Sequence, residues 1–172
     1  MLLCADSLAS TQAIAAALAG VARPGDIIVL AGELSAGKTA FAQGFGRALA
    51  IAEPITSPTF TLVHSYPVPN SKLTLHHADL YRLDTINDVD DLALHELAEF
   101  DGIVLIEWGD VAATSIGDHL EVRIEIVDDV GDDDDEDDFG LDGARRIVLE
   151  ATGPGWAGRW DRLAQVMEAY RC

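Results

Sequence analysis

The segment from Gly32 to Thr39 has the residue types and spacing of a phosphate-binding loop: Gly-Glu-Leu-Ser-Ala-Gly-Lys-Thr. Two glycines allow the backbone to curl and present its N–H groups to phosphate oxygens, and a following helix N-terminus adds a favourable field. Lys38 would contact the β- and γ-phosphates, and Thr39 would offer a hydroxyl to Mg²⁺. The alternative is a chance Gly-rich turn. The complete motif between a strand and a helix favours binding of a nucleoside triphosphate.

Two acidic residues follow apolar runs that read as buried strands. Glu107 comes directly after Ile103-Val104-Leu105-Ile106, and Asp79 follows Leu73-Thr74-Leu75 by four residues. A phosphate loop needs a carboxylate at the end of a neighbouring strand, for Mg²⁺ or for the attacking water. Taken alone, either acid could be a surface carboxylate at a strand end. Beside a phosphate loop, we expect both to act, dividing metal binding and water positioning.

Ser57-Pro58-Thr59 offers hydroxyl groups in a Pro-stiffened extended segment after the first helix that follows the phosphate loop. Such a segment could sense the γ-phosphate. A plain entry into the next strand is the alternative, and the residues alone hardly separate the two.

The histidines predict no metal centre. His76 and His77 are adjacent, so in a strand they point to opposite faces and cannot form a two-histidine site alone. We expect both to be structural or to support a site residue. The segment beginning at His95 resembles the zinc protease signature, but Glu99 stands where the second histidine is needed, and we discard that interpretation.

The apolar periodicity predicts one α/β domain over residues 1–172, a three-layer P-loop NTPase-like sandwich with a mixed parallel and antiparallel sheet. The segments 59–66 and 73–77 are joined by residues typical of a β-hairpin turn. These two strands should therefore be antiparallel, which makes the sheet mixed. The predicted helices cover 7–22, 37–50, 85–100 and 156–170. The other predicted strands cover 26–31, 102–106, 120–127 and 146–151, the last two pairing as a solvent-facing hairpin.

The formal net charge is −19, and nine of the acidic residues lie between Asp128 and Asp138, so the remainder carries −10. Such a chain should bind neither nucleic acid nor anionic membrane strongly by itself, because both associations depend on Lys and Arg. Self-repulsion predicts a solvated, disordered loop at about 128–143, and its carboxylates lack calcium-loop spacing.

Cys4 and Cys172 stand at opposite ends of the chain without metal-like spacing. We expect two free thiols in a reducing, cytoplasmic compartment and no disulfide. No signal peptide pattern or membrane span is visible, so no membrane association is expected.

Beyond the phosphate loop, three further motifs resemble the bacterial TsaE family, also called the YjeE family. They are Ser57-Pro58-Thr59-Phe60-Thr61-Leu62-Val63, His77-Ala78-Asp79-Leu80-Tyr81-Arg82 and Glu107-Trp108-Gly109. Their order and spacing are more specific than the loop, and the similarity runs over most of the chain.

The resemblance implies an ATPase that uses ATP and Mg²⁺ and acts with the TsaB and TsaD proteins. In the family, that assembly forms threonylcarbamoyladenosine next to the anticodon of tRNA, and the other subunits hold the tRNA. By position, Lys38, Asp79 and Glu107 would be catalytic, and Thr39 and Glu107 would hold the Mg²⁺. The implied nucleotide-binding residues are Thr11, Ser35, Ala36, Gly37, Lys38, Thr39, Ala40, Thr59, Trp108 and Arg146.

The sequence departs from the family pattern in three places: Ser35 replaces a usual glycine, Ala40 replaces a common threonine, and the acidic loop is longer. We expect Ser35 to adopt a backbone conformation compatible with a non-glycine residue, so that binding survives. Two other functions stay open. A small-molecule P-loop kinase would need an acceptor site and a lid, and a nucleotide-gated binding module would show little turnover.

Overall fold

A seven-stranded sheet forms the centre of the computed structural model, which describes residues 1–58, 62–81, 93–108, 116–127 and 143–172. The strands are β1 (Leu2–Ala5), β2 (Ile27–Ala31), β3 (Val63–Pro67), β4 (Thr74–Asp79), β5 (Gly102–Glu107), β6 (His119–Ile126) and β7 (Arg145–Thr152). The helices are α1 (Leu8–Ala19), α2 (Lys38–Ala48), α3 (Leu94–Glu99), α4 (Pro154–Ala157) and α5 (Trp160–Val166), followed by a 3₁₀ turn (Glu168–Tyr170).

The sheet is mixed, as predicted. Its spatial order is β1-β7-β6-β2-β5-β4-β3. The four inner strands β6, β2, β5 and β4 are parallel, whereas β1, β7 and β3 join antiparallel. Every residue of β2 is buried, because the strand has a neighbour on each side and a layer packed on each face. The carboxyl ends of the parallel strands therefore meet at one edge of the sheet.

Two apolar layers cover the sheet. Alternate residues such as Ile28 and Leu30 face the larger core, which contains Phe41 and Phe45 of α2 and Ile14 of α1. The residues between them, such as Ile27 and Val29, face a smaller core that α3 covers. This alternation follows from the two-residue period of a strand. The predicted three-layer α/β architecture is confirmed.

The predicted pairing of β6 with β7 is confirmed, but the pair is not a separate solvent-facing hairpin. β6 pairs with β2 as well as with β7, so it lies inside the sheet. Leu120, Val122 and Ile124 are fully buried on one face, while alternate residues such as Glu125 remain exposed. The alternation of apolar and charged residues in β6 thus indicates a strand that buries one face in the core and exposes part of the other.

The start of the chain forms β1, which the sequence interpretation missed. Its four residues pair antiparallel with β7, and Leu3 also bridges to Arg171 near the other end of the chain. These contacts bring Cys4 and Cys172 together, with their Cα atoms 5.2 Å apart, and the two sulfurs form a disulfide. The expectation of two free thiols is therefore wrong. A separation of 168 residues in sequence gave no sign that the two ends are neighbours in the fold.

An ion pair anchors the C-terminal segment to the turn before β2. The Arg159 guanidinium donates to both oxygens of Asp26, with one contact at 3.0 Å, and to the Val21 carbonyl oxygen. Its plane also stacks on the Trp156 ring, 4.1 Å from the centroid. Because both charged groups are nearly buried, this bidentate pair fixes geometry where an exposed pair would contribute little.

Helix α1 begins as the sequence predicts. Ser7 is its N-cap and exchanges hydrogen bonds with Ser10 in a capping box. Hydrogen bonds from the Ser10 and Ser7 hydroxyls also lower the pKa of the exposed Asp6 carboxyl. The helix packs closely on α2 at Gly44, where a Cβ atom would meet the backbone of Gln12. The small residue is therefore required for the two helices to approach.

Several predictions lie outside the described residues: Thr59, Arg82, Gly109, most of the 85–100 helix and the acidic loop apart from Gly143. In the described part of that helix, α3 covers Leu94–Glu99. No helix in the described ranges combines the length and apolar character that crossing a membrane would require.

Candidate functional site

The phosphate loop, Asp79 and Glu107 meet at the carboxyl edge of the parallel strands. β2 runs into the phosphate loop, β4 ends at Asp79, and β5 ends at Glu107. β7 begins at this same edge, because Arg145 pairs with Ile126, the last residue of β6. Parallel strands bring these positions together although they are far apart in sequence.

The phosphate loop depends on backbone conformations that favour glycine. Gly32 has φ +137°, and a Cβ atom there would overlap the Ile124 carbonyl oxygen. Gly37 has φ +114° and precedes the first residue of α2. Ser35 has φ +64°, in the left-handed region that disfavours side chains. Ser35 was expected to adopt a conformation compatible with a non-glycine residue, and its backbone lies in a region that is allowed for serine but uncommon, and that favours glycine.

Lys38 is buried within the loop that it belongs to. Its ammonium donates to the carbonyl oxygens of Gly32 at 2.8 Å and Glu33 at 2.7 Å. It also lies 3.7 Å from the centroid of the Trp108 ring, close enough for a cation–π interaction. The loop carbonyls and the indole thus hold the cation at the mouth of the loop.

Thr39 and Glu107 are in direct contact. The Thr39 hydroxyl donates to Glu107 Oε1 at 2.9 Å, and His77 Nε2 lies 2.9 Å from the same oxygen. Because a carboxylate only accepts hydrogen bonds, the His77 Nε2 atom carries the hydrogen. Glu107 and His77 are both buried, so the carboxylate receives two donors away from bulk water.

Asp79 lies beside Glu107, since the two are register partners on neighbouring parallel strands. Its Oδ2 accepts from the Ser57 hydroxyl at 2.7 Å, and its Oδ1 accepts from the Tyr81 backbone N–H at 3.0 Å. Both oxygens are therefore oriented by neighbours. The contact also brings the predicted Ser57 segment to the site, through its serine.

Trp108 covers the loop from the end of β5. Its backbone has φ +61°, and its backbone N–H donates to the Leu30 carbonyl oxygen of β2. The half-buried indole lies 5.0 Å, between ring centroids, from the exposed Tyr81 ring. The structure thus places Trp108 at the phosphate loop, where the sequence interpretation expected it.

The structure does not bring Arg146 to the phosphate loop. Its side chain is half-exposed and lies 4.0 Å from the Glu125 carboxylate. The preceding residue, Arg145, is buried, and its Nε donates to the Ala36 carbonyl within the loop at 2.9 Å. The arginine of β7 that contacts the phosphate loop is therefore Arg145, and not Arg146 as the sequence predicted. The phase of the alternation along β7 would have indicated Arg145, because Ile147 and Leu149 share its buried face.

The remaining predicted residues lie in the phosphate loop, in the first turn of α2 and in α1. Ala36 is fully buried, and Ala40 lies half-buried in the first turn of α2. Thr11 is buried in α1, where its hydroxyl donates to the Ser7 carbonyl at 3.2 Å. No hydrogen bond among the described residues directs Thr11 toward the loop.

The donor set at Thr39 and Glu107 suits Mg²⁺. That ion prefers oxygen ligands and keeps several positions for water and substrate phosphates. One hydroxyl and one carboxylate in contact meet this requirement. In the described ranges, no cluster of three or more His, Cys, Asp or Glu side chains could hold a metal by itself. The site therefore fits an ion shared with a phosphate-bearing ligand.

Comparison with known proteins identifies the family. Residues 5–134 match the family model described as threonylcarbamoyl adenosine biosynthesis protein TsaE. The tRNA threonylcarbamoyladenosine biosynthesis protein TsaE of Bacillus subtilis is 38% identical over 140 residues, which cover 81% of this chain and 84% of that protein. The protein of the same name from Streptomyces coelicolor is 34% identical over 142 residues, covering 81% and 89%. The crystal structure of Bacillus subtilis YdiB superimposes with a TM-score of 0.68 at 26% identity, over 98% of this chain and 94% of that one. The chain therefore belongs to the TsaE family.

Proposed function

We propose that this chain is the Mg²⁺-dependent ATPase of tRNA threonylcarbamoyladenosine biosynthesis and that it acts with TsaB and TsaD. One observation supports the chemistry most directly: Lys38 and Thr39, at the start of α2, and Glu107, at the end of β5, lie together at one edge of the sheet. The biological role is supported by family membership and by the names of the relatives, which are proteins of tRNA threonylcarbamoyladenosine biosynthesis.

Each side chain has a task in this proposal. The N–H groups of the loop and the first turn of α2 would bind the phosphates, and Lys38 would leave the loop carbonyls to contact them. Thr39 and Glu107 would hold the Mg²⁺, which neutralises charge on the phosphate oxygens. Asp79, held by Ser57, would orient the attacking water. Trp108 would limit access of bulk water to Lys38.

The acidic chain leaves tRNA binding to its partners. With a net charge of −19, the surface of this protein away from the phosphate loop would repel the phosphate backbone of tRNA. ATP turnover here would therefore act on an assembly whose other subunits hold the tRNA. This role places the chain in the cytoplasm, where tRNA is modified.

The test is phosphate release from ATP and GTP with Mg²⁺, measured alone and with TsaB and TsaD. We expect turnover that depends on Mg²⁺ and rises with the partners. Lys38→Ala and Glu107→Ala should each lower the rate by about a hundredfold or more, because each removes a group that stabilises charge on the phosphates. Wild-type rates in both variants would contradict the site assignment.

The same experiment separates the two other functions. ATP consumption that requires an added acceptor and leaves no free phosphate would identify a kinase. Nucleotide-dependent capture of TsaB and TsaD without measurable turnover would identify a binding module.

A further inference from the structure

His77 is completely buried, and one of its two ring nitrogens faces Glu107. We propose that His77 is a positioning residue that holds the Glu107 carboxylate in the orientation needed to bind the metal ion. This inference rests on the proposed function, because it assumes that Glu107 is a metal ligand.

Two donors converge on one oxygen of Glu107. Thr39 reaches Oε1 from α2 and His77 reaches it from β4, each at 2.9 Å. A glutamate side chain has three rotatable bonds, so a single hydrogen bond would leave its carboxylate free to turn. The second donor fixes the plane of the group. Both donors contact Oε1, so Oε2 is the oxygen that we assign to the ion.

The strand register explains how His77 reaches its partner. Leu105 is the direct neighbour of His77 on β5, and Glu107 lies two residues further along on the same face. Diagonal neighbours in a sheet lie within reach of a long or aromatic side chain. The imidazole extends toward the carboxyl edge and closes this gap.

Fold stability alone does not account for a histidine at this position. Its Nδ1 atom is buried and has no hydrogen-bond partner in the described part of the chain. An unpaired buried polar atom costs free energy, so an apolar side chain of similar size would stabilise the core better. The hydrogen bond to Glu107 is the contribution that only a donor can make.

His76 provides a matched control on the same strand. It points to the opposite face, where its Nδ1 lies 2.8 Å from the Ser65 hydroxyl. Replacing it removes a buried histidine from β4 without touching Glu107. Its variants therefore report the cost of altering the strand itself.

The experiment measures metal binding directly. Mn²⁺ replaces Mg²⁺ as a paramagnetic probe, and its affinity is measured by electron paramagnetic resonance in the presence of a non-hydrolysable ATP analogue. His77→Leu should weaken Mn²⁺ binding by about ten- to hundredfold, the usual effect of losing a partner of a metal ligand. Binding of the analogue without metal should not change. His77→Gln should restore most of the affinity, because its amide N–H can occupy the position of Nε2.

Wild-type Mn²⁺ affinity in folded His77→Leu would overturn the inference, as would equal losses in His77→Leu and His77→Gln, since shape would then matter more than the donor. If His77→Leu does not fold, His77→Phe, which keeps an aromatic ring without a donor, is compared with His76→Phe: weaker Mn²⁺ binding in His77→Phe supports the inference, and equal affinity in the two variants contradicts it. Glu107→Gln tests the underlying assignment, because unchanged Mn²⁺ binding in that variant would reject the proposed metal ligand itself.

Discussion

The ammonium of Lys38 lies over the ring of Trp108, 3.7 Å from its centroid, while donating to two carbonyl groups of its own loop. A triphosphate would compete for this cation and draw it from the indole. We therefore expect MgATP to change the fluorescence of the protein.

Trp108→Phe should remove most of that fluorescence change, because Trp156 lies against Arg159 and Trp160 lies in α5. Trp156→Phe serves as the control and should retain the change. A full nucleotide response in Trp108→Phe would show that Lys38 and Trp108 do not separate on binding.

Ser35→Gly should stabilise the phosphate loop. Serine at φ +64° is strained, and glycine adopts that conformation without a steric cost. We expect the free energy of unfolding to rise by about 0.5–1 kcal/mol, measured by urea denaturation. Gly32→Ala is the opposite test and should destabilise the protein, because its Cβ would overlap the Ile124 carbonyl. A loss of stability in Ser35→Gly would show that the serine hydroxyl has a compensating role.

Substitutions of the adjacent residues Arg145 and Arg146 should differ sharply in their effect on ATP affinity. Arg145→Ala removes the buried hydrogen bond to the Ala36 carbonyl, and the loosened loop should bind ATP about tenfold to a hundredfold more weakly. Arg146→Ala removes only a half-exposed contact with Glu125 and should change the affinity by less than about twofold. Isothermal titration calorimetry measures both. Equal losses would show that Arg146 also reaches the nucleotide.

Reduction of the Cys4–Cys172 disulfide should destabilise the fold. The bond closes nearly the whole chain, so it restricts the unfolded state strongly. We expect a reducing agent to lower the free energy of unfolding by about 2–4 kcal/mol. Cys4→Ser should show the lower value with and without reductant. Identical denaturation curves for the untreated and reduced parent protein would contradict the prediction.

Burial lowers the pKa of His76 below its ordinary value. The unfolded chain then takes up a proton near pH 6.5, where the folded chain does not, so lowering the pH below about 6.5 favours unfolding. The stability that neutral His76 permits is present above this pH and is lost below it. His76→Gln should reduce the slope of unfolding free energy between pH 7 and 5. An unchanged slope would assign the pH dependence to other groups.

The sequence predicted the elements whose signal is local. Glycine spacing identified the phosphate loop, continuous apolar runs identified β2 and β5, and turn residues identified the β3–β4 hairpin. Glu107 and Asp79 could be selected because each follows a buried strand, and in the structure they are register partners.

Long-range pairing decided what the sequence could not predict. β1 is four residues long and forms only because β7 offers an edge. The same pairing brings Cys4 to Cys172. The contact between His77 and Glu107 likewise depends on the register of β4 against β5, which no local pattern records. The choice between Arg145 and Arg146 is an exception, because the alternation of Arg145 with Ile147 and Leu149 along β7 was a local signal that pointed to Arg145.

The register of β4 also limits which changes in chain length the site can tolerate. His77 and Asp79 share one face, and His76 and Ala78 share the other. Inserting one residue at the start of β4 would exchange these faces, so that His76 takes the place of His77 toward Glu107 while Asp79 turns into the opposite core. Length variation among related proteins should therefore fall in the turn between β3 and β4, and a single-residue insertion within β4 should abolish function without removing any site residue.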